Sequence, residues 1–283
     1  MSSFANSTVL ITGGASGLGK LFARKSLERK AARVILWDIN EENLNATIHE
    51  FKNFPAEVLG TVIDIAHSEQ IQHASSEVIQ RFGGIDVLFN NAGVVAGKLF
   101  EQHTFRDITK TIEINVIAPM LITNLFLPEM LRNGKGHIIN IASAAGLLAN
   151  PKMSVYAGSK WALLGWSESL RIELEQEHSS KQLHVTTITP SYINTGMFAG
   201  VKAPLLVPII EAEIISEKIM RAVERNKIIV RAPITVYLLP ILKGVLPTRL
   251  FDLLVGRWLN VYESMSSFVG RPAHIAIPEK QKS

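Results

Sequence analysis

A tyrosine and a lysine four positions apart, Tyr156 and Lys160 in the run Y-A-G-S-K, are the residues of this chain whose types and spacing most directly permit proton chemistry. On a helix that interval sets both side chains on one face, one turn apart. A free phenol ionises near 10 and is a poor base at neutral pH. An ammonium one turn away favours the phenolate, so Tyr156 is expected to act as general base toward an alcohol and, in reverse, as general acid. Ser143 precedes Tyr156 by thirteen positions, and the intervening A-A-G-L-L-A-N-P reads as a loop able to carry its hydroxyl to the phenol. There it would stabilise charge building on a substrate oxygen. Taken singly, a tyrosine at a helix start is a packing residue and a lysine a solvated charge; together they describe a site.

The elements that must position these residues alternate. Short aliphatic and β-branched runs at 8–12, 34–37, 57–63, 87–89, 137–142, 184–189 and 227–230 are separated by segments of helical period at 17–30, 41–51, 68–81, 104–132, 155–177 and 211–225. Parallel strands need such crossovers, so the pattern implies an α/β fold, a single doubly wound domain on a parallel sheet of about seven strands. No repeat or low-complexity linker interrupts it before about residue 230. The expected division is a catalytic Rossmann-type unit over 1–230, with a substrate lid near 196–212, and an apolar helical extension over 231–283.

Composition excludes several classes. The chain has 283 residues, 47% apolar and 19% charged, a net charge of +4 and no cysteine. Disulfides, thiolate metal sites and a cysteine nucleophile are therefore out. The basic excess is too small and scattered for a nucleic-acid surface. His103 and His137 have no partners at ligand spacing, so no metal is expected. The start, MSSFANSTVLITGG, carries neither a signal peptide pattern nor a membrane anchor, which makes the cytoplasm the expected location.

Between the first strand and helix, TVLITGGASGLGK places Gly13, Gly17 and Gly19 where a tight turn lets a pyrophosphate approach the backbone and a helix N-terminus. Asp38, about twenty positions on, suits the ribose hydroxyls of NAD and repels the extra phosphate of NADP; its alternative role is to cap the helix that starts at Glu41. With no arginine after Asp38, NAD is favoured over NADP.

The G-x-x-x-G-x-G spacing resembles the short-chain dehydrogenase/reductase family. The likeness continues through Asp64, the Asn90-Asn91-Ala92-Gly93 turn, Asn115, Ser143, Tyr156 with Lys160, and Pro190 to Thr195, over roughly residues 7 to 230. The resemblance implies reversible hydride transfer between a nicotinamide cofactor and an alcohol. Asn115, Ser143, Tyr156 and Lys160 would be catalytic, with Asn115 fixing a water in a proton relay, Lys160 also holding the nicotinamide ribose, and the positive charge of the oxidised nicotinamide adding to the lysine's effect on the phenol. Cofactor contacts would come from Gly13, Ser16, Gly17, Leu18, Gly19, Asp38, Asp64 at the adenine, Ile65, Asn91, Ala92, Gly93, Tyr156, Lys160, Pro190, Ile193 and Thr195, the last near the nicotinamide amide. The family commonly has Pro-Gly where this chain has Pro190-Ser191, which should narrow backbone freedom there. Members generally pair through the two long helices, implying a homodimer or homotetramer.

The segment MFAGVKAPLLVPIIEAE would form an apolar lid suited to a lipophilic alcohol such as a retinoid, steroid or long-chain alcohol, or would close the core. The tail from 232 to 259 has no uninterrupted span of about twenty apolar residues. Its two short amphipathic stretches could lie on a membrane or lipid-droplet surface, cover the substrate mouth or contact another subunit. The composition resembles the retinol and 17β-hydroxysteroid dehydrogenase branch. Trp161 and Trp166 read as core or interface packing. The rival functions are an NADPH-dependent carbonyl reductase, a non-catalytic NAD-binding scaffold, which typically loses the tyrosine or lysine, and a nucleotide-sugar epimerase, whose glycine spacing differs.

Overall fold

A computed structural model describes residues 2–179 and 181–270, so the last part of the expected extension, 271–283, lies outside the described residues. The strands are β1 (Thr8–Thr12), β2 (Arg33–Asp38), β3 (Glu57–Val62), β4 (Val87–Asn90), β5 (Lys135–Ile141), β6 (Gln182–Pro190), the short β7 (Ile193–Asn194) and β8 (Ile210–Glu211), and β9 (Ile229–Ala232). Seven of them form one sheet in the order β3-β2-β1-β4-β5-β6-β9, every pair parallel. β7 and β8 make a separate parallel pair beside the lid. The helices are α1 (Gly17–Glu28), α2 (Glu41–Phe51), α3 (Ser68–Phe82), α4 (Phe105–Ile112), α5 (Ala118–Asn133), α6 (Ser154–Glu177), α7 (Ala212–Glu224), α8 (Leu239–Val245) and α9 (Thr248–Phe251).

Strands buried on both faces read as continuous aliphatic runs, and β1, TVLIT, is buried at every position. One core, with Phe22, Phe89, Leu44 and Ile219, lies between the sheet and α1, α2 and α7. The other, with Trp37, Phe126, Ile122 and Leu170, lies under α3, α5 and α6. From β1 the chain winds first toward β3 and then, from β4, the opposite way. That reversal opens a crevice at the carboxyl ends of β1 and β4, where such sheets bind ligands.

Every expected strand and helix end falls within two residues of the observed one, with one internal difference. The helix expected over 104–132 is broken by a π-helical turn at Glu113–Ile117, between α4 and α5. Over Phe105–Asn133 the chain is long and apolar enough to cross a membrane by length and composition. Its Ile114, Ala118, Ile122, Phe126 and Met130 are nevertheless packed into the second core.

The tail forms α8, α9 and a π-helical turn at Asp252–Trp258, whose Phe251 and Val255 pack with Val261 on Leu148 of the loop after β5. Backbone bonds then fasten it to the lid: Lys202 N–H to Ser264 O at 3.0 Å, Leu205 N–H to Leu259 O at 2.9 Å, and Val269 N–H to Ala199 O at 2.9 Å.

Candidate functional site

The glycine turn leads from β1 to α1 in a shape only glycine permits. Gly13 and Gly17 have φ of 63° and 51°, and a Cβ on Gly19 would lie 2.0 Å from the Gly13 carbonyl oxygen. Asn91 buttresses the turn from β4: its Nδ2 donates to Thr12 O at 2.9 Å and Gly13 O at 3.2 Å. The Thr12 hydroxyl accepts from the N–H groups of Asn91 and Ala92 at 3.0 and 3.1 Å. Ser16 stands at the N-cap of α1, and no acidic side chain occupies the first turn, so the helix presents its positive end unneutralised by its own sequence.

Asp38 ends β2 with its carboxylate beside that turn, accepting from Ala15 N–H and Asn40 N–H, each at 3.0 Å. The cap of α2 is Asn40, whose side chain accepts from Asn43 N–H at 2.7 Å. The alternative role for Asp38 as a helix cap is thus taken by its neighbour.

One cleft gathers Gly13, Ser16, Leu18, Asp38, Asp64, Ile65, Asn91, Ala92, Gly93, Ser143, Tyr156, Lys160, Pro190, Ile193 and Thr195 along the switch point. Its space, mouth included, is about 1270 Å³. Gly17, Gly19 and Asn115 do not line it. The two glycines form the turn behind it, and Asn115 lies beneath Gly93, where an added Cβ would stand 3.3 Å from Asn115 Oδ1 and 3.5 Å from Lys160 Nζ. The sequence reading missed Trp37, Ile39, Ile63, Val94, Lys110, Ile114, Ile141 and Ala142, which also line the wall; no motif distinguishes them from packing and surface residues.

Lys160 and Tyr156 share a face of α6 as their spacing requires, both almost fully buried. Lys160 Nζ donates to Ile141 O at 2.8 Å, at the end of β5, and lies 5.7 Å from the centre of the Tyr156 ring. The loop after β5 crosses α6 so closely that a Cβ on Gly146 would meet Lys160 O at 2.8 Å. That approach carries Ser143 to the phenol, and the Ser143 hydroxyl also accepts from Ala145 N–H at 3.1 Å.

Without a cofactor the phenol is not poised to ionise. Burial, the largest influence, pushes the Tyr156 phenol up to about 12; the Ser143 hydroxyl pulls down and Tyr192 pushes up. Burial also lowers the Lys160 ammonium to about 8. The lysine is engaged with a carbonyl rather than the phenol, so desolvation outweighs its attraction and Tyr156 holds its proton in this state.

Asn115 is fully buried in the π-helical turn. Its Oδ1 accepts from Val94 N–H at 2.9 Å, and its Nδ2 donates to Val94 O at 2.9 Å and Ser159 Oγ at 3.0 Å. Both amide protons are thereby used, and the side chain fixes the segment after β4 against α6. Ser191 takes no left-handed backbone, so the departure from Pro-Gly is accommodated without strain. Its N–H donates to Ala232 O at 2.8 Å.

Beside this cleft, and sharing Ser143, Ser191 and Phe198 with it, is an apolar cavity of about 890 Å³, mouth included. The lid contributes Phe198, Pro204, Leu206 and Val207; the tail contributes Val236, Leu238, Leu239, Leu242, Val255, Leu259 and Val261. Phe198 meets the Tyr156 ring edge-on at 6.0 Å between centroids. Trp166 packs on the second core, whereas Trp161 is partly exposed under Lys243, whose Nζ lies 3.6 Å from the ring centre.

The histidine reading also changes. The β5–β6 register sets His137 opposite His184, ring centroids 5.5 Å apart, at the amino end of the sheet and away from the cleft. Among the described residues no group of three or more His, Cys, Asp or Glu is arranged to hold a metal ion.

Comparison with known proteins matches residues 7–205 to the short chain dehydrogenase family model. Epidermal retinol dehydrogenase 2 of Mus musculus is 33% identical over 273 residues, covering 94% of this chain and 86% of that protein. Estradiol 17-beta-dehydrogenase 11 of Rattus norvegicus is 34% identical over 260 residues, covering 92% and 86%. Among solved structures, a metagenomic short-chain oxidoreductase in complex with NADP superposes with a TM-score of 0.68 at 29% identity, covering 82% of this chain and 97% of that one. A Burkholderia phymatum short chain dehydrogenase/reductase in complex with NAD shares the fold, with a TM-score of 0.76 at 24% identity over 91% and 97% of the two chains.

Proposed function

The chain belongs to the short-chain dehydrogenase family, and we propose that it is an NAD-dependent dehydrogenase interconverting a lipophilic alcohol and its carbonyl compound, with Tyr156 as the proton-transferring group. The observation that carries this reading is that Ser143, beside Tyr156, belongs to both the glycine-turned cleft and the apolar cavity, so a polar carbinol and a hydrocarbon body would each find their surroundings at one junction. The retinoid and steroid substrates named for the relatives fit that lining.

The residues fit a dinucleotide: the glycine cradle, the N-terminus of α1 with no acidic residue in its first turn, and the Asp38 carboxylate lie along one cleft. A bound nicotinamide supplies the hydride acceptor in oxidation and the donor in reduction. Gly13 and the α1 N-terminus would receive the pyrophosphate, Asp38 the adenosine ribose, Asp64 the adenine side and Thr195 the nicotinamide side. Ser143 would donate a hydrogen bond to the substrate oxygen and stabilise the charge it gains. In oxidation Tyr156, as the phenolate that a cationic nicotinamide beside it would favour, accepts the hydroxyl proton and in reduction returns it, while the carbinol carbon gives up its hydrogen with both bonding electrons to the nicotinamide. Lys160, cationic below about 8, adds positive potential beside the phenol and is within reach of the ribose side of the cleft. Asn115 positions Val94 and α6 around that ammonium.

NAD is preferred over NADP because Asp38 offers a carboxylate where a 2′-phosphate would sit. The exposed apolar side chains Leu238, just before α8, Ile241 and Val245 of α8, and Trp258 of the final turn, with Arg249 and Arg257 also exposed, support peripheral contact with a membrane or lipid-droplet surface. Exposed Ile117, Trp161 and Ile172 on the long helices support self-association.

The test is turnover by Tyr156→Phe with NAD and a panel of lipophilic alcohols. Oxidation should fall by about a thousandfold or more while NADH binding, read by fluorescence, stays intact. Unchanged turnover would end the proposal.

A further inference from the structure

Tyr156 borders the glycine-turned cleft but not the apolar cavity, although Ser143 beside it borders both. On its cavity side stands Phe198, a lid residue that lines both spaces. The two rings meet edge-on, with centroids 6.0 Å apart and planes at 78°. Phe198 is flanked in turn by the rings of Tyr192 at 5.3 Å and Phe268 at 6.5 Å. At the junction of two open spaces, Tyr156 is therefore only 4% exposed. The tail holds this stack from behind. Ala199 O, next to Phe198, accepts from Val269 N–H at 2.9 Å and Gly270 N–H at 3.2 Å. One residue further the backbones touch so closely that a Cβ on Gly200 would lie 2.2 Å from Ser267 O. Tyr192 is fixed by the tail as well: its Oη lies 2.8 Å from Ser264 Oγ and accepts from Asn150 Nδ2 at 3.1 Å, which also donates to Ser264 Oγ at 3.0 Å.

We propose that Phe198 is a positioning residue for the proton transfer at Tyr156: pinned by the tail, its ring closes the cavity side of the phenol against water and so decides how readily the hydroxyl ionises. This deepens the dehydrogenase reading, from which the role of Tyr156 comes. A phenolate needs hydration that a phenol can do without, so a ring packed in place of water favours the protonated form. Burial is accordingly the largest influence on Tyr156, ahead of the Ser143 hydroxyl and Tyr192. The titratable groups facing the phenol are Lys160, one turn along α6, and Tyr192, after β6; Ser143 brings a neutral hydroxyl. The cluster around it draws Val95 from the segment after β4, Met153 from before α6 and Met265 and Phe268 from the tail, all uncharged. The cleft side stays open, so a positive charge brought through the cleft acts on the phenol where solvent from the cavity does not. By this route the last described turns of the chain govern a proton more than a hundred positions earlier.

The experiment is an ultraviolet tyrosinate titration of the full chain without cofactor, each variant read against the same variant carrying Tyr156→Phe. Phe198→Ala should bring one tyrosinate into the window between about pH 9 and 11, a downward shift of about one unit or more from wild type. Phe198→Leu, which keeps the apolar bulk, should hold the wild-type curve. Phe268→Ala, which removes the ring behind Phe198, should shift the curve the same way by a smaller step, and it decides the matter where alanine at 198 impairs folding by circular dichroism. Phe105→Ala, a ring 83% exposed on α4, should change nothing. The pH profile of kcat/KM for oxidation of a short 1-alkanol with NAD should rise at lower pH in Phe198→Ala by a similar step. A phenol that stays protonated through about pH 11 in both Phe198→Ala and Phe268→Ala, or that shifts as far in Phe105→Ala, would overturn the inference. Titrations that shift as expected while no alcohol is oxidised would instead remove the dehydrogenase reading and leave the screening of Tyr156 by Phe198 in place.

Discussion

Lys160 points its ammonium at the Ile141 carbonyl, 2.8 Å away, and not at the hydroxyl of Tyr156, whose ring centre is 5.7 Å from it. The two residues share a helix face and a cleft but no hydrogen bond, and burial governs both: the phenol is held near 12 and the ammonium near 8.

Without cofactor, then, Tyr156 should stay protonated through the range in which an ordinary tyrosine ionises. Ultraviolet difference titration of wild type against Tyr156→Phe between pH 9 and 11 should reveal no extra tyrosinate in the wild type. Addition of oxidised NAD, whose nicotinamide is cationic, should bring one tyrosinate into that window. A full tyrosinate signal by pH 10 in the cofactor-free enzyme would contradict the assignment.

Asp38 is held in place by Ala15 N–H and Asn40 N–H. Asp38→Asn keeps an acceptor for the backbone but removes the charge, so the ratio of NAD to NADP affinity should drop by about tenfold or more, chiefly through tighter NADP binding. Isothermal titration with both nucleotides measures it, and an unaltered ratio would assign the selectivity elsewhere.

His137 lies between Ser2 Oγ at 2.9 Å and Thr186 Oγ1 at 2.7 Å, and burial first, then His184, holds its pKa down to about 3. The folded value is below the unfolded 6.5, so the unfolded chain binds the extra proton. Stability is therefore fully present above about 6.5 and lost as pH falls toward 3. For His137→Gln that loss should be absent, making the wild type about 2 kcal/mol more acid-sensitive between pH 7 and pH 5. Urea midpoints of both proteins at the two pH values decide this; parallel slopes would refute it.

The exposed Ile241 and Val245 of α8 should matter for lipid binding and for nothing in the cleft. Flotation with vesicles containing anionic lipid should recover the wild type, and recovery should fall severalfold in Ile241→Glu/Val245→Glu and at high salt. Equal flotation of the double variant, or dimerisation lost in its place, would transfer these residues to a protein interface.

Much of this molecule was legible from spacing. Strands such as β1 and helices such as α2 declare themselves because hydrophobic periodicity and turn chemistry are local, and the glycine turn, Ser143, Tyr156 and Lys160 stand in a fixed order along it. What escaped depends on distance. The His137–His184 pair arises from strand register, and the Asn150–Ser264 bond joins residues 114 positions apart, so no window of sequence contains either. The π-helical turn at Asn115 escaped because it leaves the hydrophobic repeat of the surrounding helix nearly unchanged. The cofactor-free state of the phenol escaped too, because helical spacing fixes where the lysine stands but says nothing about how dry its surroundings are.

The fastening of the lid to the tail, through Lys202 with Ser264 and Leu205 with Leu259, sets an order of assembly during synthesis. The glycine-turned cleft is built from segments that leave the ribosome before Val236 to Val261, which supply one wall of the apolar cavity. A nascent chain halted before residue 259 would already hold the glycine turn, Ser143, Tyr156 and Lys160, but would lack Leu259, Val261 and both of those bonds, leaving the apolar cavity open on that side.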